Sequence, residues 1–260
     1  MTDNSVADKP TLVLLHGWGV NQGVWQSIRQ RLPGDISVLT PDLPGFGSAA
    51  QFPQPYTLDT LCQQLAAQIP NGSAVCGWSL GGLIAMALAK RYPAKVSKLA
   101  LVAASPCFLA QTGWPGMAPA VMQQFASALS DNLQQTIERF LAIQAMGSDS
   151  AKADTKALKQ AIMAYPPAQP QAVAAALQLL AQTDLRAEFS ALSLPLAGLY
   201  GRLDSLVPVK LVEQLQQLQP QGCFTVLPHA SHAPFISHPD AFLAWLQQWL
   251  SPSGSNSITS

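Results

Sequence analysis

Charge is scarce in this sequence. Lysine and arginine number 14, aspartate and glutamate 14, and charged residues make up 11% of the 260. The formal net charge is zero, so no global field draws the chain to nucleic acid or to an anionic membrane. Cysteine is sparse too. Cys62, Cys76, Cys107 and Cys223 lie far apart with no CxxC pair, which gives no disulfide framework. Cys76 and Cys223 sit in apolar strand-like runs, where a thiol is expected to act as a small core hydrophobe. No apolar run is long enough to cross a bilayer, and the opening "MTDNSVADKP" has no signal-peptide apolar stretch. A reducing cytoplasm suits these features. No residue set points to a metal or an organic cofactor.

Apolar residues are plentiful, at 48%, and the length suits one large domain with an insertion. The apolar runs alternate in type. "TLVLLHG" (11–17), "ISVLT" (36–40), "SAVCGW" (73–78) and "VSKLALVAAS" (96–105) read as strands. Between them, 24–32, 57–69 and 80–92 have helical spacing, with Thr57 as the expected N-cap of the second. Continuously apolar strands separated by helices predict an α/β fold with a mainly parallel sheet covered on both faces. From 108 to 190 no strand is expected, only helical runs. Strands resume at 196–201 and 222–227, and "PDAFLAWLQQWL" (239–250) is a final amphipathic helix. The expected layout is therefore a core at 1–107 and 191–250, a helical lid at 108–190 and a disordered tail at 251–260. Helices placed after a strand would lie over the carboxyl ends of the sheet, where parallel sheets bind ligands.

"VCGWSLGG" (75–82) runs from the third strand into a helix. Gly-x-Ser-x-Gly in that setting is the nucleophile elbow of the α/β hydrolases. It predicts an exposed, strained Ser79 at the positive end of a helix. A serine hydroxyl needs a general base, and in this fold the order is serine, acid, histidine. "LYGRLDSLVP" places Asp204 just past a strand, and "LPHASHAPFISHP" places His232 in the loop after the next. His232 would take the serine proton, and Asp204 would fix the imidazole tautomer. The rivals fit less well. His229 follows its strand too closely, and His238 opens the last helix. His16, in "HGWG", is expected to shape a loop. Asp42 precedes the serine and is expected to tie the "DLPGFG" loop. A tetrahedral oxyanion needs preorganised N–H donors, here those of Leu80 and of Trp18 after the first strand.

"LVLLHGWG", "DLPGFG", "GWSLGGL", "ERFLA", "LDSLVP" and "HAPFISHP" resemble, along nearly the whole chain, the pimeloyl-acyl-carrier-protein methyl ester esterases of biotin synthesis. The resemblance implies cleavage of the methyl ester of the pimeloyl carrier protein, releasing methanol and a free ω-carboxylate. It matches Ser79, Asp204 and His232 to the triad, and Trp18 and Leu80 to oxyanion and substrate contacts. Phe140, Leu141, Ala142, Ile143 and Gln144 match the lid segment that lines the acyl channel. It also implies a basic lid surface that docks the acidic carrier, here Arg139, Lys152, Lys156 and Lys159. The last three share a helix face. Gln135 stands where the family often has another arginine. The usual extra N-terminal strand is not expected here, leaving six strands, and the chain is expected to be a monomer. On the motifs alone, a general short-chain carboxylesterase and a non-catalytic hydrolase-fold binder are the competing readings.

Overall fold

The structure, a computed structural model, describes residues 9–144 and 151–251. Its strands are β1 (Thr11–Leu15), β2 (Ser37–Leu39), β3 (Ser73–Trp78), β4 (Val96–Val102), β5 (Leu196–Gly201) and β6 (Cys223–Leu227). They form one sheet in the order β2-β1-β3-β4-β5-β6, and every neighbouring pair is parallel. Helices α1 (Gln26–Arg31), α2 (Leu58–Gln68) and α3 (Leu80–Arg91) connect the first four strands. Between β4 and β5 come α4 (Pro119–Asp131), α5 (Leu133–Gln144), α6 (Ala151–Met163), α7 (Pro170–Gln182) and α8 (Arg186–Ser190). The chain closes with α9 (Leu211–Leu218), α10 (Pro234–Ser237) and α11 (Pro239–Leu250).

Side chains alternate across the sheet. Val13, Leu15, Val75, Leu99 and Leu101 face a core shared with α2, α3 and α7. Leu12, Leu14, Cys76, Ala100 and Val102 face a second core closed by Trp25, Ile28, Phe242 and Leu246. With both faces covered, β3 and β5 are buried throughout, as continuous apolar strands require. Thr57 caps α2 as expected. It accepts from Thr60 N–H at 3.3 Å, and Thr60 Oγ1 accepts from Thr57 N–H at 3.0 Å.

The strand order reverses between β1 and β3. The chain leaves β1 towards one edge and β3 towards the other, so their carboxyl-end loops part and leave a crevice. Gly17 and Trp18 follow β1, and Ser79 follows β3, so both sequence candidates flank that point.

Two expectations need adjustment. The helical run at 24–32 is a 3-10 turn, Gln22–Trp25, followed by the short α1. Asn21 caps the turn through its side chain, and a Cβ on Gly23 would collide with the Ala161 carbonyl of α6. Cys223 is exposed rather than core, because it opens the edge strand β6. Six strands are present among the described residues, while the expected absence of an N-terminal strand and the expected tail fall on 1–8 and 252–260, outside them.

The crossing of β3 and α3 depends on glycine. A Cβ on Gly77 would overlap the Gly81 carbonyl, and one on Gly81 would lie 2.5 Å from the Leu15 carbonyl. Backbone cannot move aside as a flexible side chain can. Gly77→Ala should therefore lower stability by about 1–3 kcal/mol. Gly34→Ala, where an added methyl meets nothing within 4 Å, should stay within about 0.5 kcal/mol of the parent. Urea melts of both variants read the difference, and equal midpoints would remove the packing account.

Candidate active site

Ser79 has φ 54° and ψ −118°, outside the regions that side chains other than glycine prefer. Such a conformation costs roughly 1–3 kcal/mol and persists only where its surroundings dictate it. Here they do. Ser79 N–H donates to Val102 O of β4 at 2.9 Å, and Ser79 O accepts from Gly82 N–H at 2.9 Å and Leu83 N–H at 3.2 Å. A serine preceding a helix normally caps it through its hydroxyl. Ser79 makes no such bond, because its backbone turns the side chain away from the helix end. Leu80 is the first residue of α3, so its N–H has no acceptor within the helix.

His232 and Asp204 meet. His232 Nδ1 donates to Asp204 Oδ2 at 2.8 Å, with side-chain exposures of 1% and 0%. The other carboxylate oxygen accepts from Leu206 N–H at 2.8 Å and Val207 N–H at 2.9 Å. Two backbone donors thus fix the carboxylate that orients the imidazole. With the proton held on Nδ1, Nε2 is left as an acceptor, and it has no hydrogen-bond partner among the described residues. A Ser79–His232 hydrogen bond is not among the bonds formed. The elbow and the histidine loop are joined instead through Trp78, whose Nε1 donates to His232 O at 2.8 Å.

The rivals have other partners. His16 Nδ1 donates to Gly17 O at 2.8 Å, and its Nε2 accepts from Leu43 N–H at 2.9 Å. Burial lowers its pKa, opposed by the Asp42 carboxylate 3.6 Å away. Asp42 accepts from Gln22 N–H at 2.6 Å and Ser48 N–H at 2.7 Å, tying the loop after β2. His229 is exposed, and His238 contacts the Ser237 hydroxyl.

Trp18 is buried, its indole donating to Val173 O of α7 at 2.8 Å. The Phe140 ring lies edge-on to it at 4.7 Å. Residues 140–144 form the last part of α5 and differ in burial. Phe140 and Gln144 share a face, and Gln144 O accepts from His232 N–H at 3.1 Å. Leu141 packs into the second core, Ala142 is exposed and Ile143 is partly buried. Consecutive helical residues diverge by about 100°, which spreads these five around α5.

On α6, Lys152, Thr155, Lys156, Lys159, Gln160 and Met163 line a surface groove of about 390 Å³. Lys159 pairs with Glu138 at 3.0 Å. Lys152 and Lys156 are exposed and make no ion pair among the described residues, and Arg139 is exposed on α5. Among the described residues there is no group of three or more His, Cys, Asp or Glu able to hold a metal ion. Nor is any described helix long and apolar enough to cross a membrane.

Two contributors escaped the sequence reading: the Trp78 indole and the Gln144 carbonyl. Trp78 lies inside the elbow motif, but its acceptor is 154 residues away, and only the folded chain brings them together.

Asp204→Asn keeps an oxygen for Leu206 and Val207 but turns an amide N–H₂ towards His232. That drives the imidazole proton to Nε2, where the serine needs an acceptor. The expected result is a fall in kcat on a soluble ester of about 10³- to 10⁴-fold with little change in Tm. A variant with near-parent kcat would show that Asp204 does not orient the base.

Residues 12–245 match the model of the alpha/beta hydrolase family. The pimeloyl-[acyl-carrier protein] methyl ester esterase of Pseudoalteromonas atlantica is 49% identical over 94% of this chain and 95% of its own length. The proteins of that name from Aeromonas hydrophila and Edwardsiella ictaluri are both 46% identical, over 93% and 92% of this chain and 95% and 93% of their own lengths. A solved esterase from Exiguobacterium antarcticum has a TM-score of 0.83 at 20% identity, covering 92% of this chain and 91% of its own. An enol-lactonase from Burkholderia xenovorans has a TM-score of 0.80 at 22% identity, covering 94% and 92%. These two share the fold, and their identities carry no more than that. The chain belongs to the alpha/beta hydrolase family and, within it, to the family of the pimeloyl-[acyl-carrier protein] methyl ester esterases.

Proposed function

We propose that the protein is a serine carboxylesterase that hydrolyses the methyl ester of pimeloyl-[acyl-carrier protein] to methanol and pimeloyl-[acyl-carrier protein] in biotin synthesis. The substrate assignment is supported by relatives of that name at 44–49% identity. The chemistry is supported by one contact above all, the His232–Asp204 bond at 2.8 Å, which leaves Nε2 bare in a buried site. Ser79 Oγ attacks the ester carbonyl while its proton passes to His232 Nε2. The N–H groups of Leu80 and Trp18 hold the oxyanion. Collapse expels methoxide, which takes the proton from His232 and departs as methanol. Water, activated by the same nitrogen, then releases the acid and restores the serine.

Ser79, Asp204 and His232 are all buried, at 4%, 5% and 1% exposure, and the groove on α6 includes none of them. In this reading α4–α8 form a lid that moves to admit the acyl chain, with Phe140 and Gln144 at its inner surface. Arg139, Lys152, Lys156 and Lys159 dock the acidic carrier. Lys159 contributes least, because Glu138 already neutralises it. Surface pairs are worth little singly, so docking would act mainly on encounter and register. The protein would work as a cytoplasmic monomer. Cys62, Cys76 and Cys107 are buried free thiols, and burial pushes Cys62 up to about 12, far from thiolate chemistry.

The deciding experiment is complementation of a biotin auxotroph lacking this esterase. Growth is expected, and failure by a well-expressed, ester-hydrolysing protein would favour a general short-chain carboxylesterase. Ser79→Ala should abolish ester turnover without unfolding, and a fully active variant would overturn the triad. Lys152→Glu with Lys156→Glu should raise KM for the carrier-linked ester and leave a small soluble ester unaffected. Equal changes for both substrates would sink the docking assignment.

A further inference from the structure

We infer that Trp78 is a positioning residue: its indole holds His232 by the main chain and so sets the approach of Nε2 to Ser79. The inference rests on the triad reading above. Trp78 is fully buried and directly precedes the nucleophile. Its Nε1 donates to His232 O at 2.8 Å, and its ring lies 5.8 Å from the imidazole and edge-on to Phe235 at 4.9 Å. The same ring supports the oxyanion loop, for a Cβ on Gly17 would come within 3.0 Å of it. One side chain therefore touches the histidine segment and the loop carrying Trp18, while its backbone fixes the serine.

The bond matters because of what the imidazole lacks. Asp204 grips Nδ1, but one hydrogen bond leaves the ring free to pivot about that contact. Pivoting moves Nε2, the atom that must come within about 2.6–3.2 Å of the serine oxygen. Fixing the His232 backbone removes the freedom. Its carbonyl is held by Trp78 and its N–H by Gln144 O of α5 at 3.1 Å. Displacement of a reacting group by about 1 Å costs on the order of 10²-fold in rate, so an anchor this close to the base bears directly on kcat.

A packing role alone would require only the ring. Trp25 supplies the comparison. It is equally buried and its ring lies tilted against Phe235 at 4.3 Å, yet its indole N–H has no partner among the described residues. The core thus accepts a tryptophan without using its donor, whereas position 78 spends its donor on His232.

The test replaces each indole while keeping an aromatic ring. Trp78→Phe is expected to lower kcat on a small soluble ester roughly tenfold or more with KM nearly unchanged. Phosphonylation of Ser79 by a fluorophosphonate probe, which needs the same activated hydroxyl, should slow in parallel. Trp25→Phe should leave both rates close to the parent. The inference is overturned if Trp78→Phe keeps its kcat, raises KM alone or loses no more than Trp25→Phe. Should Trp78→Phe fail to fold, 3-benzothienylalanine at position 78 keeps the shape without the N–H and is read by the same criteria. A small ester makes the result independent of carrier docking. If Ser79→Ala stayed active, the triad reading would fall. If Ser79→Ala is silent and Trp78→Phe behaves like the parent, only this inference falls.

Discussion

The close crossing of β1, β3 and the start of α3 is the constraint on which the rest depends. The helix begins so near the sheet that Gly77, Gly81 and Gly82 have no room for a Cβ. That proximity forces the turn at Ser79 into a left-handed conformation and denies it a capping role. The strain, roughly 1–3 kcal/mol, is small beside the burial around it. Leu83, Ile84, Met86 and Leu88 of α3 are all fully or almost fully buried, and each such side chain is worth about 1.5–3 kcal/mol. The helix can therefore hold the serine in a conformation the residue itself disfavours. The crossing lies at the reversal of strand order, the place where parallel sheets bind ligands.

The helices after β4 are built into this arrangement. Trp18 donates to Val173 of α7, Asn21 donates to Ile162 of α6, and Gln169 N–H donates to Gly45 O. His232 donates to Gln144 of α5. Each bond ends on a loop at the carboxyl side of the sheet, and three end on the loops after β1 and β6, which carry Trp18 and His232. Net hydrogen-bond contributions are about 0.5–1.5 kcal/mol each, so a handful of them can be exchanged without unfolding the core. Movement of these helices would at once loosen Trp18 and His232. If these helices serve as the proposed lid, access and alignment would be coupled through ordinary hydrogen bonds.

Local chemistry was legible in the sequence. Strand–Gly–x–Ser–x–Gly–helix prescribes the elbow, since every residue involved lies within one turn. Thr57 and Thr60 prescribe a cap for the same reason. Asp204 and His232 were found because each follows a strand, and parallel strands deliver their loops to one edge. What depends on long-range packing was hidden. Nothing near Trp78 indicates an acceptor 154 residues on, and the exposure of Cys223 follows from edge position, which strand composition does not reveal. Residues 140–144 are hidden for another reason: a helix distributes consecutive residues around its axis, so Leu141 and Ala142 leave the face that Phe140 and Gln144 occupy.

Among the described residues there are two buried histidine–aspartate pairs, and their difference shows what makes a base. His16 and Asp42 are as thoroughly buried as His232 and Asp204. Composition and burial do not separate them; the second ring nitrogen does. In His16 both nitrogens are committed, Nδ1 to the Gly17 carbonyl and Nε2 to the Leu43 N–H. A proton arriving at Nε2 would have to displace that N–H, and burial further disfavours the cation. Its carboxylate stands 3.6 Å away and is occupied by Gln22 and Ser48. In His232, Nδ1–H donates to the carboxylate directly, and Nε2 has no hydrogen-bond partner among the described residues. One pair is a cross-brace between the loops after β1 and β2. The other keeps a ring nitrogen with no hydrogen-bond partner among the described residues, as a general base requires.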